Sequence, residues 1–204
     1  MHTTPLPMLL QQIRQCHLCQ ASLPLAPKPI LQAAPGAKIL IAGQAPGRIT
    51  HERGQPFDDM SGDRLRLWLG VSREQFYDPS LFAVVPMGFC YPGSQQKNGR
   101  PQGDLPPRTE CATHWRQQLL QALPNIQLTL LLGKYAMAWH LAGTPLARAP
   151  LTQAVNHWET LWPHMMVLPH PSPRNRLWLK QHPLFEQTLL PILQQRVAML
   201  INEP

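Results

Sequence analysis

The sequence predicts an α/β protein with a central four-stranded parallel sheet. Four β-type runs carry that prediction: KILIAG (38–43), LFAVVPM (81–87), IQLTLLLG (126–133) and MMVLP (165–169). They are nearly continuous apolar rather than alternating, as strands covered on both faces are. Helical patterns alternate with them, and strand–helix alternation defines the α/β class.

The elements follow in chain order. PMLLQQIRQ opens as a short helix. After the first run, SGDRLRLWLG reads as a helix with Ser61 as N-cap and Gly70 as terminator. PPRTECATHWRQQLLQAL starts behind a double proline and gathers Leu119, Leu120 and Leu123 on one face. KYAMAWHLAG ends in Gly143, and TQAVNHWETLW follows from Thr152. The last helical segment runs from about Leu184 to Ile201 and restarts at Pro191. At 204 residues the span 1–204 reads as a single domain, long enough to bury a core without staples.

The net charge is +7 with only 14% charged residues, so the imbalance comes from few acids. A basic balance suits a polyanion partner, because Lys and Arg displace counterions from phosphates. No apolar run approaches the roughly 18 residues of a membrane span. The N-terminal stretch lacks the basic start and small-residue cleavage site of a signal peptide. A cytoplasmic monomer with no membrane partner is therefore the expectation. In that compartment cysteines stay reduced and serve as metal ligands more often than as disulfides. The 24 prolines are spread along the chain, which suggests rigid loops rather than a disordered tail.

Ligands of open α/β sheets bind beyond the carboxyl ends of the strands. Two unusual loops fall at such ends and should face each other: GQAPGRITHERGQPFDDMSG (43–62) and HPSPRN (170–175). Gly43 and Gly47 let backbone N–H groups approach an oxyanion or a carbonyl. The Gly-Lys-Ser/Thr of a phosphate-binding loop and the G-x-G-x-x-G of a dinucleotide site are both missing. Phe57 could stack on a planar base at a cleft edge, or simply fill core. Asp58 and Asp59 could complement a helix dipole, orient water or stabilise a cation. His170, wedged between Pro169 and Pro171, suits a donor to developing negative charge, or a hydrogen-bonded structural role. Arg174, Arg176 and Lys180 would meet phosphate or the gap in a base stack. Cys16 and Cys19 form a C-x-x-C pair, and Cys90 and Cys111 complete a four-thiolate set that fits zinc or an iron–sulfur cluster.

Taken together, GQAPG…GQPF, the C-x-x-C, the two single cysteines and HPSPRN resemble the uracil-DNA glycosylase superfamily. The likeness is to its iron–sulfur members, families four and five, and spans Cys16 to Asn175. The resemblance implies a three-layer α/β/α fold and hydrolytic release of uracil, or another deaminated base, from DNA. It implies that Gly43, Gln44, Ala45, Pro46 and Gly47 contact the base and the attacking water, with Gln44 where family four has glutamate. Phe57 would stack on the flipped base, with Ser172 beside it, and His170 would hydrogen-bond uracil O2. Asp59, in DDMSG, would activate water. Arg174, Asn175 and Arg176 would lie in the DNA-contacting segment. Cys16, Cys19, Cys90 and Cys111 would hold a structural [4Fe–4S] cluster, with zinc as the alternative occupant. Two departures bear on base preference: Pro86 stands where family four reads the uracil edge with asparagine, and the Cys90–Cys111 segment is longer than usual. A DNA-binding relative without activity and a nucleotide hydrolase are the rival readings.

Overall fold

The computed structural model describes residues 4–98 and 100–202. Residues 1–3, the start of the stretch weighed as a leader, lie outside them. Strands β1 (Ile39–Ala42), β2 (Phe82–Val84), β5 (Leu128–Leu132) and β6 (Met165–Leu168) form one sheet in the order β2-β1-β5-β6. Every pairing in it is parallel. The order reverses between β1 and β5, which opens a crevice beyond the strand ends.

Along Ile39–Ile41 and Phe82–Val85, alternate side chains divide the core between the two faces of the sheet. Ile39, Ile41, Phe82, Val84, Leu128 and Leu130 join one buried cluster with helices α3 (Met60–Leu69) and α10 (Leu190–Asn202). Leu40, Ala83 and Val85 join a second with α1 (Leu6–Arg14) and with Trp115 and Leu119. Two clusters on opposite faces make three layers, and the strands are buried on both sides, which is why they read as unbroken apolar runs. The edge of β2 is covered by the segment at Gln32, whose backbone bridges Val84 and whose side chain donates to the carbonyls of Phe76 and Phe82. That blunts the unpaired edge.

Three features differ from the expectation. The N-cap of α3 is Asp59, not Ser61: Asp59 is extended and its carboxylate accepts from the Gly62 N–H at 2.9 Å. Gly70 closes that helix in the left-handed region, φ 68°, as expected. The stretch after the double proline is not one regular α-helix. It runs as α5 (Thr109–Cys111), a π-helical turn (Ala112–Arg116) and α6 (Gln117–Gln121). The long Cys90–Cys111 segment contains a hairpin, β3 (Ser94–Lys97) against β4 (Arg100–Asp104), that pairs with no other strand. Helices α2 (Arg48–Arg53), α4 (Arg73–Tyr77) and α9 (Arg176–Gln181) also went unread in the sequence. Helix α7 (Lys134–His140) falls where expected, while the TQAVNHWETLW stretch is α-helical only in its first half, α8 (Leu151–Asn156), and continues as a 3-10 turn at Trp158–Thr160. No helix among the described residues is long and apolar enough to cross a membrane.

Candidate functional site

The two loops meet. A cleft of about 410 Å³ is lined by Gly43, Gln44, Ala45, Pro46 and Gly47 after β1, by Phe57 and Asp59 before α3, and by His170, Ser172 and Arg174 after β6. Pro86, beyond β2, forms part of its wall. The prolines of both loops restrict the backbone on either side of the polar groups.

Phe57 is held in an unusual state. Its φ is 54°, in the left-handed region that bulky residues avoid. Its carbonyl accepts from Arg66 Nη1 at 3.2 Å, while the carbonyl of Pro56 accepts from the Tyr77 hydroxyl at 3.0 Å. Gly62 leaves room for that carbonyl, since a Cβ there would stand 1.7 Å from the Phe57 oxygen. The ring lies over Gly43, whose own Cβ would stand 3.8 Å from its tip, and 6.4 Å from the His170 ring. Strain that the surroundings over-determine in this way costs about 1–3 kcal/mol and clusters at ligand sites.

His170 is fixed from three directions. Its Nδ1 accepts from the Ser172 N–H at 3.2 Å, and its carbonyl accepts from Asn175 Nδ2 at 2.7 Å. The Arg64 guanidinium, from α3, donates to the carbonyls of Pro171 and Ser172 at 3.3 and 3.1 Å. With Nδ1 accepting, a neutral ring carries its proton on Nε2. Burial lowers the pKa of His170; the carboxylates of Asp59 and Asp104 oppose that shift and Arg174 adds to it. The histidine is thus a neutral donor on a rigid rim.

The paired acids have separate fates. Asp58 is bound by Arg73 Nη2 at 2.7 Å and Arg53 Nη1 at 3.3 Å; the hydrogen bond from Arg73 foremost holds its carboxyl below the ordinary range. Asp59 lines the cleft while capping α3. Gln44 is also engaged, its amide donating to the Leu105 carbonyl at 2.8 Å. The Ser172 hydroxyl accepts from the Arg174 N–H at 3.2 Å, and the Arg174 guanidinium donates to the Gln102 carbonyl at 3.3 Å. Asn175 braces the His170 loop, and Arg176 is exposed at the start of α9, outside the lining of the cleft.

Three contributors were not read from the sequence. Arg64 looks like an ordinary surface charge on a helix. Asp104, at the end of β4, lines the cleft beside Gly47, and its carboxylate accepts from the Ser94 hydroxyl at 3.2 Å. The hairpin itself bridges the two loops, through Leu105 to Gln44 and through Gln102 to Arg174.

A second, much smaller pocket is lined by all four cysteines. None is in a disulfide. The indole N–H of Trp115 points at the Cys16 sulfur, 3.3 Å away, and the Phe89 N–H at the Cys111 sulfur, 3.4 Å away. Burial pushes the Cys90 thiol up to about 11 and the Cys111 thiol up to about 12, and raises Cys19 as well. As thiols they are poor nucleophiles at neutral pH. As the side chains stand, no group of three His, Cys, Asp or Glu among the described residues is arranged to hold a metal ion.

Fold and cleft together define a three-layer α/β protein whose site is built from two proline-stiffened loops at the strand ends. Residues 31–194 match the family described as the Uracil DNA glycosylase superfamily, and the chain belongs to it. Among solved structures it is similar to a solution NMR structure of a Methanosarcina acetivorans protein provisionally described as a uracil DNA glycosylase. That similarity has 13% identity, covers 82% of this chain and 98% of that one, and has a TM-score of 0.47.

Proposed function

We propose that the protein is a monofunctional DNA glycosylase that releases uracil, or another deaminated base, from DNA and so initiates base excision repair. The observation that carries this reading is the single cleft in which Phe57, Asp59, His170 and the Gly43–Gly47 loop come together. A base must leave the duplex stack before its sugar C1′ can be attacked, so the enzyme flips it into the cleft. Phe57 offers it a stacking face. As the glycosidic bond lengthens, the sugar becomes cationic and the base anionic. The Nε2–H of His170 and the N–H groups of the Gly43–Gly47 loop stabilise the base anion. The carboxylate of Asp59 favours the oxocarbenium ion and orients water, as carboxylates do in glycoside hydrolysis. Water oxygen bonds to C1′, the C1′–N bond breaks, and the water proton ends on the base. Arg174 and the net charge of +7 suit the DNA backbone.

The reading extends to a [4Fe–4S] cluster of the kind found in the iron–sulfur families, supported by four cysteines that line one pocket, two of them facing N–H donors. When bound, that group would supply bracing for the segments that carry Cys16, Cys19, Cys90 and Cys111. An absorbance spectrum of anaerobically purified protein distinguishes it from zinc: a broad visible band means iron–sulfur, and a colourless protein means zinc or no metal.

The test of function uses short labelled DNAs, single-stranded and paired, each with one uracil, hypoxanthine or xanthine. Alkali cuts wherever a base has been lost. Cleavage at uracil or at another deaminated base is expected. Measurable DNA binding with no cut at any of them overturns the reading.

A further inference from the structure

Arg116 is the bulkiest fully buried side chain, 1% exposed. Burying a cation is costly unless something compensates it. No ion pair joins it to a carboxylate among the described residues. Its guanidinium is spent on neutral acceptors. Nη1 donates to the carbonyls of Val85 and Pro86 at 3.0 and 3.1 Å. Nε and Nη2 reach His140 Nε2 at 3.2 and 2.6 Å, and the Trp139 ring lies 5.2 Å away. A ring nitrogen that accepts must belong to a neutral histidine; burial first, then Arg116, lowers the His140 pKa to about 3. So much hydrogen bonding on a charge with no carboxylate partner among the described residues calls for a purpose beyond filling space.

The two carbonyls show what that purpose is. Val85 and Pro86 lead from β2 into the cleft wall, which Pro86 helps to line. On its other side the same stretch is tied to the first loop. The Val85 N–H donates to the Ile41 carbonyl at 2.9 Å, the Met87 N–H to Gly43 at 2.9 Å and the Gly88 N–H to Gln44 at 3.0 Å. Residues 85–88 are therefore clamped between the Gly43–Gln44 backbone and one arginine. That arginine ends the π-helical turn Ala112–Arg116, and such single turns recur at functional sites.

We propose that Arg116 is a positioning residue for the base cleft: by holding the Val85 and Pro86 carbonyls it fixes the wall on which the Gly43–Gln44 backbone is registered. The catalytic consequence rests on the glycosylase reading; the clamp itself does not.

Two variants and two readouts test it. Arg116→Met keeps the stem and deletes the donors, while Arg116→Lys keeps the charge and one donor group. The first readout is amide hydrogen exchange. In Arg116→Met, exchange at Met87 and Gly88 should rise by about ten-fold or more, while Leu130 and Val167 in the neighbouring strands stay protected. Arg116→Lys should fall between Arg116→Met and the parent. The second readout is single-turnover base release at saturating enzyme, which should drop by about a hundred-fold in Arg116→Met, the loss that a misplacement of about 1 Å produces. Its DNA affinity should stay within about two-fold of the parent. Unchanged exchange at Met87 and Gly88, a uniform rise across the sheet, or equal losses of binding and release overturn the proposal. If the parent protein releases no base, the glycosylase reading falls and the exchange pattern alone decides the clamp. If Arg116→Met does not fold, the exchange of Arg116→Lys decides in the same way: a rise confined to Met87 and Gly88 supports the clamp, and any other pattern overturns it.

Discussion

Gly62→Ala should damage the site through a position that touches no substrate. The added Cβ would stand 1.7 Å from the Phe57 carbonyl oxygen, 2.6 Å from its carbonyl carbon and 2.9 Å from its Cβ. Real Cβ atoms essentially never approach closer than 3.0 Å, so something must move by at least 1.3 Å. The obstacle is backbone and cannot swing aside. Either Phe57 leaves its position over Gly43, or the first turn of α3 shifts and takes with it the Asp59 cap, which the Gly62 N–H makes. Both residues line the cleft. A displacement of this size should slow base release by about a hundred-fold. Stability should fall by about 1–3 kcal/mol from overpacking, less about 1 kcal/mol returned by alanine's helix propensity. Single-turnover release and a urea melt, run on the same preparation, measure the two effects separately. Base release within about three-fold of the parent would refute the reasoning, because the Phe57 conformation would then be irrelevant to the reaction.

Other expectations follow from the same geometry. His170→Ala should cut the rate of base release by about 100- to 1,000-fold, as the loss of one placed donor does, with much less effect on DNA affinity; equal losses in both would remove the histidine from the chemistry. Arg174→Ala should weaken DNA binding and lower the slope of log affinity against log salt by about 1; an unchanged slope takes the guanidinium off the phosphates. His140 sets a pH dependence of stability. Its folded-state value is about 3, below the unfolded value of about 6.5. Above pH 6.5 both states are neutral and the group contributes nothing. As pH falls below that, the unfolded chain takes up the proton first, so stability declines by at most about 1.4 kcal/mol per pH unit until the folded value is reached. Urea melts of His140→Gln, which keeps an acceptor for Arg116, should show a shallower decline between pH 6.5 and 4.5 than the parent. Parallel curves would refute the assignment.

The sheet was legible because burial on both faces leaves little choice but apolar residues in its strands. The cleft was legible because glycine and proline at strand ends have few other uses. Where two residues could do one job, residue chemistry did not discriminate. Asp58 and Asp59 are chemically identical neighbours that only the family resemblance told apart, in favour of Asp59; the physical reason lies in Arg53 and Arg73, which engage Asp58 in ion pairs while Asp59 faces the cleft. The cap of α3 moved from Ser61 to Asp59 for a similar reason: Asp59 already lies extended, so the helix begins two residues earlier. The hairpin was invisible because Ser94–Lys97 and Arg100–Asp104 carry no apolar alternation; they pair with each other and, among the described residues, with no strand of the main sheet. Arg116 reads as a solvated charge on an amphipathic helix until the π-helical turn is known. The whole 1–204 span as one domain, the monomeric state and the metal at the cysteines remain expectations of the sequence.

The hairpin separates the part of the site that can vary from the part that cannot. Its two ends are neighbours, joined by the Leu105 N–H to the Gly93 carbonyl at 2.8 Å, so the strands between them form a loop closed at its base. Lengthening such a loop costs little in chain entropy, about 0.6 kcal/mol per doubling. Yet its last residue, Asp104, stands in the cleft and its backbone contacts both rims. Insertions, deletions and substitutions there can remodel the mouth of the cleft while the sheet, the histidine and the cysteines keep their places. In directed evolution this is the segment to randomise first: a library confined to 94–104 explores new specificities without spending the stability of the scaffold.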